Sequence, residues 1–197
     1  MKIAIVCDYL NVYGGAERTL ESILEIYPEA DIFTSLYNVS KFREDSPLRQ
    51  KHIGSVFRRL NLFQRFNLLE TVISSLPKHF TFIFPYFFER LDLSSYELVI
   101  SVGTIWSKGV KTSPKQKHIF YCLTPPRFLY GYHSETSKRN VWYYKPFTTI
   151  IDHWLRIWDH NSAQKPDEIV SISQEVQRRV KKFYRRDSTV IYPPVVS

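Results

Sequence analysis

Residues 1–27 read MKIAIVCDYLNVYGGAERTLESILEIY, and they join a short apolar run, a pair of glycines and an amphipathic segment. The run Lys2–Cys7 is β-branched and does not alternate with polar residues, which is typical of a strand covered on both faces in a parallel sheet. After Gly14 and Gly15 the apolar side chains recur at helical spacing, at Ala16, Leu20, Ile23, Leu24 and Tyr27. This strand, turn and helix predict an α/β fold.

The glycine turn also predicts an anion site. Because Gly14 and Gly15 have no Cβ, a ligand can approach their backbone, and the helix that follows directs its positive dipole end at the same place. Neither the three-glycine dinucleotide fingerprint nor the phosphate-binding loop ending in Gly-Lys-Ser/Thr is present. A glycine turn that serves tight packing alone is the alternative, and the pattern leaves both open.

The protein is basic and rich in aromatic residues. The 197 residues suffice for one full core, the formal net charge is +8 and aromatic residues make up 16% of the chain. Such a charge favours phosphate-bearing partners, namely nucleic acid, anionic lipid or a phosphorylated small molecule. Cys7 and Cys122 both fall in predicted buried strands, so we expect reduced thiols in a cytoplasmic protein. No signal peptide and no apolar stretch of bilayer length is found.

Further apolar runs extend the predicted sheet, and two more amphipathic stripes predict helices. The helices cover residues 147–158 and 174–184, and Ser171 or Ser173 is placed to cap the second of them. The predicted strands are residues 31–36, 96–102, 118–123, 168–173 and 189–192.

Residues 52–93 mix apolar and aromatic side chains with arginines. One interpretation is a pair of helices packed on the sheet. The other is a surface that enters a membrane interface, with Arg58, Arg59 and Arg65 on lipid phosphates. Both interpretations are compatible if one face of a helix packs on the sheet and another enters the membrane interface.

Loops at the carboxyl ends of two predicted strands supply candidate ligand groups, since such loops form the ligand crevice of open α/β sheets. Lys108 lies in the loop 103–109, and Thr124 precedes a proline pair followed by Arg127. Prolines fix the local backbone, and arginine suits bidentate binding of phosphate or carboxylate. A surface charge or an ion pair is the alternative role for Arg127, which we expect to begin a helix.

Five short motifs occur in order: GGAER (14–18), KGV (108–110), YCLTPPR (121–127), RIWD (156–159) and VIYPP (190–194). Together they resemble the N-terminal half of a family-four glycosyltransferase and are similar to bacterial mannosyl- and surface-polysaccharide sugar transferases. The resemblance implies a Rossmann-like three-layer α/β sandwich with a mostly parallel sheet, one half of a GT-B fold. Residues 1–192 would form the acceptor-side domain and 193–197 the start of an interdomain linker, with the donor-binding domain absent.

The same resemblance implies retaining transfer of a sugar from a nucleotide sugar to a glycan or lipid-linked acceptor, with no metal or other cofactor. Gly14 and Gly15 would face the donor diphosphate. Lys108, Thr124, Arg127 and Ser173 would line the substrate cleft, with helix capping as the alternative role of Ser173. The isolated half is expected to be inactive, and peripheral contact with the inner face of the plasma membrane is expected.

One position departs from this family. Relatives often carry histidine where this chain has Leu123, and leucine neither hydrogen-bonds a sugar nor moves a proton. A regulator descended from the enzyme is therefore one alternative. A non-catalytic basic module for nucleic acid or anionic membrane is another. Because the aromatic residues cluster in apolar runs and no RNA-binding signature is present, a nucleic-acid partner is not expected.

Overall fold

The computed structural model describes residues 1–50, 53–55, 83–131 and 145–194. Arg58, Arg59 and Arg65, on which the predicted membrane surface depends, lie outside these ranges. Of the helices within them, none is long and apolar enough to cross a bilayer.

Seven strands in the described ranges form one sheet in which every neighbouring pair is parallel. Their bounds are Ile3–Cys7 (β1), Asp31–Thr34 (β2), Ile53–Ser55 (β3), Leu98–Gly103 (β4), Lys117–Cys122 (β5), Glu168–Ser171 (β6) and Thr189–Val190 (β7). The order across the sheet is β3-β2-β1-β4-β5-β6-β7, whose first six strands match the order of the dinucleotide-binding Rossmann fold.

Helices connect these strands. The α-helices span Gly15–Ile26 (α1), Pro47–Gln50 (α2), Phe84–Glu89 (α3), Lys145–Ser162 (α4) and Gln174–Tyr184 (α5). Two short 3-10 helices cover Val39–Lys41 and Ser107–Gly109.

The alternating side chains of β1 divide the core into two layers, which explains why this strand is apolar throughout. Ile5 and its neighbours on the same face pack with Leu20 of α1, whereas Val6 packs on the opposite face with Phe88 of α3 and Leu155 of α4. Each fully buried side chain of this size contributes about 1.5–3 kcal/mol relative to exposure. The predicted three-layer α/β sandwich is therefore confirmed.

Local differences from the sequence predictions are few. The strand β3 was not predicted, and the predicted strands differ from the observed ones by up to two residues at either end, whereas α5 has the predicted bounds. Arg127 was expected to begin a helix, but residues 127–131 form a turn in which the Tyr130 amide donates to the Arg127 carbonyl oxygen. Gly131 ends this turn with a positive φ of 76°, a backbone conformation that stops a right-handed helix and that glycine adopts without strain.

The strand order fixes where a ligand crevice lies. The chain leaves β1 toward β2 and β3 on one side of the sheet, and β4 begins the strands on the other side. Connections that depart in opposite directions from two adjacent parallel strands leave a gap at their carboxyl ends, and ligands of open α/β sheets bind there. In this protein that gap lies between the ends of β1 and β4.

Candidate functional site

A cleft of about 80 Å³ occupies this gap between β1 and β4. Its lower part is apolar, and the loops after the two strands together with the first turns of α1 form its walls. The lining residues are Cys7, Asp8, Tyr9, Leu10, Ala16, Glu17, Leu20, Val102, Gly103, Thr104 and Leu123.

Asp8 directly follows β1 and fixes the loop that leaves β4. Its carboxylate accepts hydrogen bonds from the backbone amides of residues 104, 105, 106 and 107, at 2.7–3.0 Å, and from the Thr104 hydroxyl at 3.1 Å. An ionised carboxylate with several amide donors is a strong local anchor. The approach is close enough that a Cβ on Gly103 would lie 2.6 Å from Asp8 Cγ, so glycine is required there.

The glycine turn lies at the edge of the cleft. Gly14 is the N-cap of α1, and its amide donates to Glu17 Oε2 at 2.9 Å. The expectation that both glycine amides are bare is therefore wrong for Gly14. Gly15 is exposed, and a Cβ built on it would meet no atom within 4 Å. Within the described chain no acceptor is bonded to the amides of Gly15 and Ala16, so these two remain open to an anion.

Glu17 makes the inner side of this turn acidic. Its side chain is buried, and burial raises the pKa of its carboxyl, with the Glu21 charge adding to the rise. The pKa values of two neighbouring side chains, Cys7 and Tyr9, are raised as well. Burial chiefly raises the pKa of Cys7 to about 12, and the charges of Asp8 and Glu17 act in the same direction. Burial followed by the same two charges also raises the pKa of Tyr9.

Lys108 does not line the cleft, which corrects the prediction for this residue. Its side chain is 0% exposed, and its Nζ donates to Asp159 Oδ1 at 2.5 Å and to the Ile105 carbonyl oxygen at 2.7 Å. Asp159 Oδ2 in turn accepts from the Tyr130 hydroxyl at 2.9 Å. A buried ammonium needs such a partner because an unpaired charge in the interior is very costly. Lys108 therefore holds the loop behind the cleft.

The other predicted ligands lie at the same edge of the sheet but outside the cleft lining. The Thr124 hydroxyl accepts from Arg179 Nη1 at 3.2 Å, and Arg127 is exposed. Ser173 Oγ accepts from the Val176 amide at 3.2 Å, so its capping role at α5 is confirmed. All three follow the carboxyl ends of β5 or β6, and parallel strands bring those ends to the edge that holds Gly15.

Leu123 does reach the cleft. It is half-buried, and its amide donates to the Gly103 carbonyl oxygen at 3.0 Å. The position at which this chain departs from the resembled family thus adds an apolar side chain to the cleft wall.

Asp8 and Glu17 were not among the predicted site residues. Glu17 stands three residues after Gly14, the spacing at which a glutamate reaches back to an N-cap amide, so the capping-box pattern could have identified it. Asp8 gave a weaker signal, because an acidic residue after a buried strand is common in loops. Within the described ranges no three His, Cys, Asp or Glu side chains cluster as metal ligands.

Comparison with known proteins yields a likeness of fold. No protein-family model and no curated protein matches the chain. Two solved structures of HepE from Anabaena match over 99% of this chain. The complex with UDP is 15% identical with a TM-score of 0.54, and the complex with UDP and glucose is 14% identical with a TM-score of 0.55. The chain spans 44–45% of the length of HepE. It therefore shares a Rossmann-like fold with less than half of a protein that binds UDP and glucose.

Proposed function

We propose that this chain is the acceptor-side half of a GT-B retaining glycosyltransferase. The enzyme would move a hexose, with mannose the first candidate, from a nucleotide sugar to a glycan or lipid-linked acceptor of a surface polysaccharide. Three observations support this: the five ordered motifs, the crevice between β1 and β4, and the fold shared with HepE, which binds UDP and glucose. Without a donor-binding half, these 197 residues would be inactive.

The observation that carries the proposal is the open start of α1. Gly15 is exposed, and a Cβ built on it would meet no atom within 4 Å; it lies at the positive end of a 12-residue helix and beside the cleft. Amides held in advance at this place would stabilise the negative charge that grows on the departing diphosphate. The proposed chemistry needs no metal, since these amides and the helix dipole meet the anion.

A pair of substitutions at Gly15 tests this role. Gly15 is the first residue of α1, where proline fits the helix and removes only the amide hydrogen, whereas alanine adds a Cβ in open space and keeps the amide. We expect UDP and pyrophosphate to shift the Ala16 amide resonance of the wild type and of Gly15→Ala alike. Gly15→Pro should weaken both about tenfold, because a hydrogen bond to a charged group contributes about 1.5–3 kcal/mol.

Amide NMR follows the titrations with UDP and pyrophosphate, at ligand concentrations high enough to detect weak binding. Equal affinity of Gly15→Pro and Gly15→Ala for UDP would contradict the proposed role of the turn. Tight binding that discriminates between nucleotide sugars would contradict the assignment of the donor site to the other half.

We further propose that the protein contacts the anionic inner face of the plasma membrane peripherally, through Arg58, Arg59 and Arg65. The net charge of +8 supports this, together with the apolar and aromatic residues that surround these arginines in the sequence.

A further inference from the structure

The cleft beside α1 has an unusual charge for a protein of net charge +8. Two carboxylates, those of Asp8 and Glu17, line it, and no lysine, arginine or histidine is among its lining residues. Its volume of about 80 Å³ is also small. One water occupies roughly 10–15 Å³ on this measure, so the cleft has room for several water-sized groups and not for a nucleoside diphosphate.

No cation within the described chain neutralises these two carboxylates. The partners of Asp8 are four amides and a hydroxyl, and the partner of Glu17 is the Gly14 amide. By Coulomb's law, a phosphate about 4–5 Å from one such carboxylate would be repelled even at an effective dielectric constant near 20. That repulsion lowers the affinity by more than a hundredfold. An anion is therefore disfavoured inside the cleft, although the Gly15 amide outside it remains open.

A neutral group with hydroxyls meets complementary surroundings in the same place. An ionised carboxylate accepts hydrogen bonds and cannot donate them, which suits a hydroxyl donor. Asp8 already accepts five hydrogen bonds from the loop after β4, so the acceptor left for a ligand is the Glu17 carboxylate. The apolar side chains of Leu10, Leu20 and Leu123 complete the lining and suit the C–H face of a sugar ring.

We propose that this cleft receives an uncharged, hydroxyl-bearing part of the acceptor, such as the hydroxymethyl end of one sugar residue, and that Glu17 excludes phosphorylated acceptors. The inference rests on the proposed function for the identity of the ligand as an acceptor. It places the donor diphosphate outside the cleft, at Gly15, and the neutral acceptor group inside it.

The test compares hexoses with and without a phosphate. Methyl glucoside, galactoside and mannoside are titrated against the corresponding hexose 6-phosphates, with the amide resonances of Thr104 and Leu123 as reporters of the cleft. For the wild type we expect at least one methyl hexoside to shift both resonances, while the 6-phosphates leave them unchanged at equal concentration.

Glu17→Gln removes the charge and keeps an oxygen that can accept from the Gly14 amide. We expect it to strengthen binding of the matching 6-phosphate in the cleft at least tenfold, whereas methyl hexoside binding, which loses a charged acceptor, should not strengthen. Glu21→Gln is the control, because it removes the same charge one turn further along α1 and Glu21 does not line the cleft.

Three results would overturn the inference. They are a 6-phosphate that binds the wild-type cleft as well as its methyl hexoside, an unchanged 6-phosphate affinity in Glu17→Gln, and no methyl hexoside binding at all. If Glu17→Gln does not fold, the wild-type comparison decides alone. UDP binding is read separately at the Gly15 amide, which does not line the cleft, so failure in the cleft with UDP binding retained leaves the transferase proposal standing.

Discussion

Two charged side chains hold the backbone of the loop behind the cleft from opposite sides. Asp8 accepts from the amides of residues 104–107, and the Lys108 ammonium donates to the carbonyl oxygens of Thr104, at 3.4 Å, and Ile105. Asp159 then neutralises Lys108. All four amides of residues 104–107 and the carbonyl oxygens of Thr104 and Ile105 therefore have a charged partner, which keeps the wall of the cleft in one conformation.

The buried pair gives a first prediction. Asp159→Asn or Lys108→Met should each lower the free energy of unfolding by about 3–5 kcal/mol, because each leaves a buried charge without its partner. The double variant should lose less than the sum of the two, since it leaves no uncompensated charge. Urea denaturation of the four proteins measures this coupling.

The control is an exposed pair of similar length. Lys117 Nζ lies 3.0 Å from Glu168 Oε1 with both side chains more than half exposed, so Lys117→Met should cost less than about 1 kcal/mol. If Lys108→Met and Lys117→Met lowered the free energy of unfolding equally, the stabilising role of the buried pair would be refuted.

His118 gives a pH-dependent prediction. Its side chain is 0% exposed, its Nε2 lies 2.8 Å from Ser101 Oγ, and burial lowers its pKa from 6.5 to about 4. The folded state thus resists protonation that the unfolded chain accepts. The stability is complete above pH 6.5 and falls by roughly 3 kcal/mol as the pH decreases to 4.

Urea denaturation at several pH values between 7 and 4 measures this loss. Because carboxylates titrate in the same window, the relevant quantity is the difference between the wild type and His118→Gln. The variant should show a shallower decline by the His118 contribution. If the free energy of unfolding fell equally with pH in the two proteins, His118 would not be the cause of the loss.

The regular elements of this chain were largely predictable from sequence, whereas the contacts between them were not. β1 and α5 carry their own signals: an unbroken apolar run in β1, and in α5 the Ser173 cap with apolar residues at helical spacing. β3 spans three residues, too few for any periodicity to show. Lys108 was predicted to line the substrate cleft because its partner Asp159 is 51 positions away, and only the packing of α4 brings the two together.

At the level of a single turn, Gly103 and Gly15 allow a matched comparison. An alanine Cβ at Gly103 would lie 2.6 Å from Asp8 Cγ and Ser107 Oγ, whereas one at Gly15 meets nothing within 4 Å. We expect Gly103→Ala to destabilise the protein by about 1–3 kcal/mol or more, through displacement of the Asp8 anchor. Gly15→Ala should be neutral or slightly stabilising. Thermal unfolding distinguishes the two, and equal melting temperatures would contradict the close packing inferred at Gly103.

For the whole molecule, the net charge of the chain and the charge of its cleft have opposite signs. The chain carries a net charge of +8, yet the cleft between β1 and β4 is lined by two carboxylates. Any partner attracted by the positive charge would therefore touch other parts of the surface. The fold and the place of the cleft follow from strand order, while the negative charge of the cleft follows from Asp8 and Glu17, neither of which was predicted as a site residue.

Flotation with anionic vesicles tests the proposed membrane contact. Changing Arg58, Arg59 and Arg65 to Glu should abolish binding, since each basic residue near an anionic surface contributes about 1 kcal/mol and the new charges are repelled. Arg178, Lys181 and Lys182, exposed on α5, changed to Glu give the same net charge at another place. If both triple variants lose binding equally, net charge rather than this segment is responsible.

The parallel pairing of β1 with β4 has a consequence for biosynthesis. Ile3 of β1 pairs with Leu98 of β4, so β1 is synthesised 95 residues before the strand with which it pairs. At roughly 5–20 residues per second that delay is about 5–20 s. During this time an apolar strand destined for the middle of the sheet has no neighbour on that side, and we expect the nascent chain to depend on chaperones.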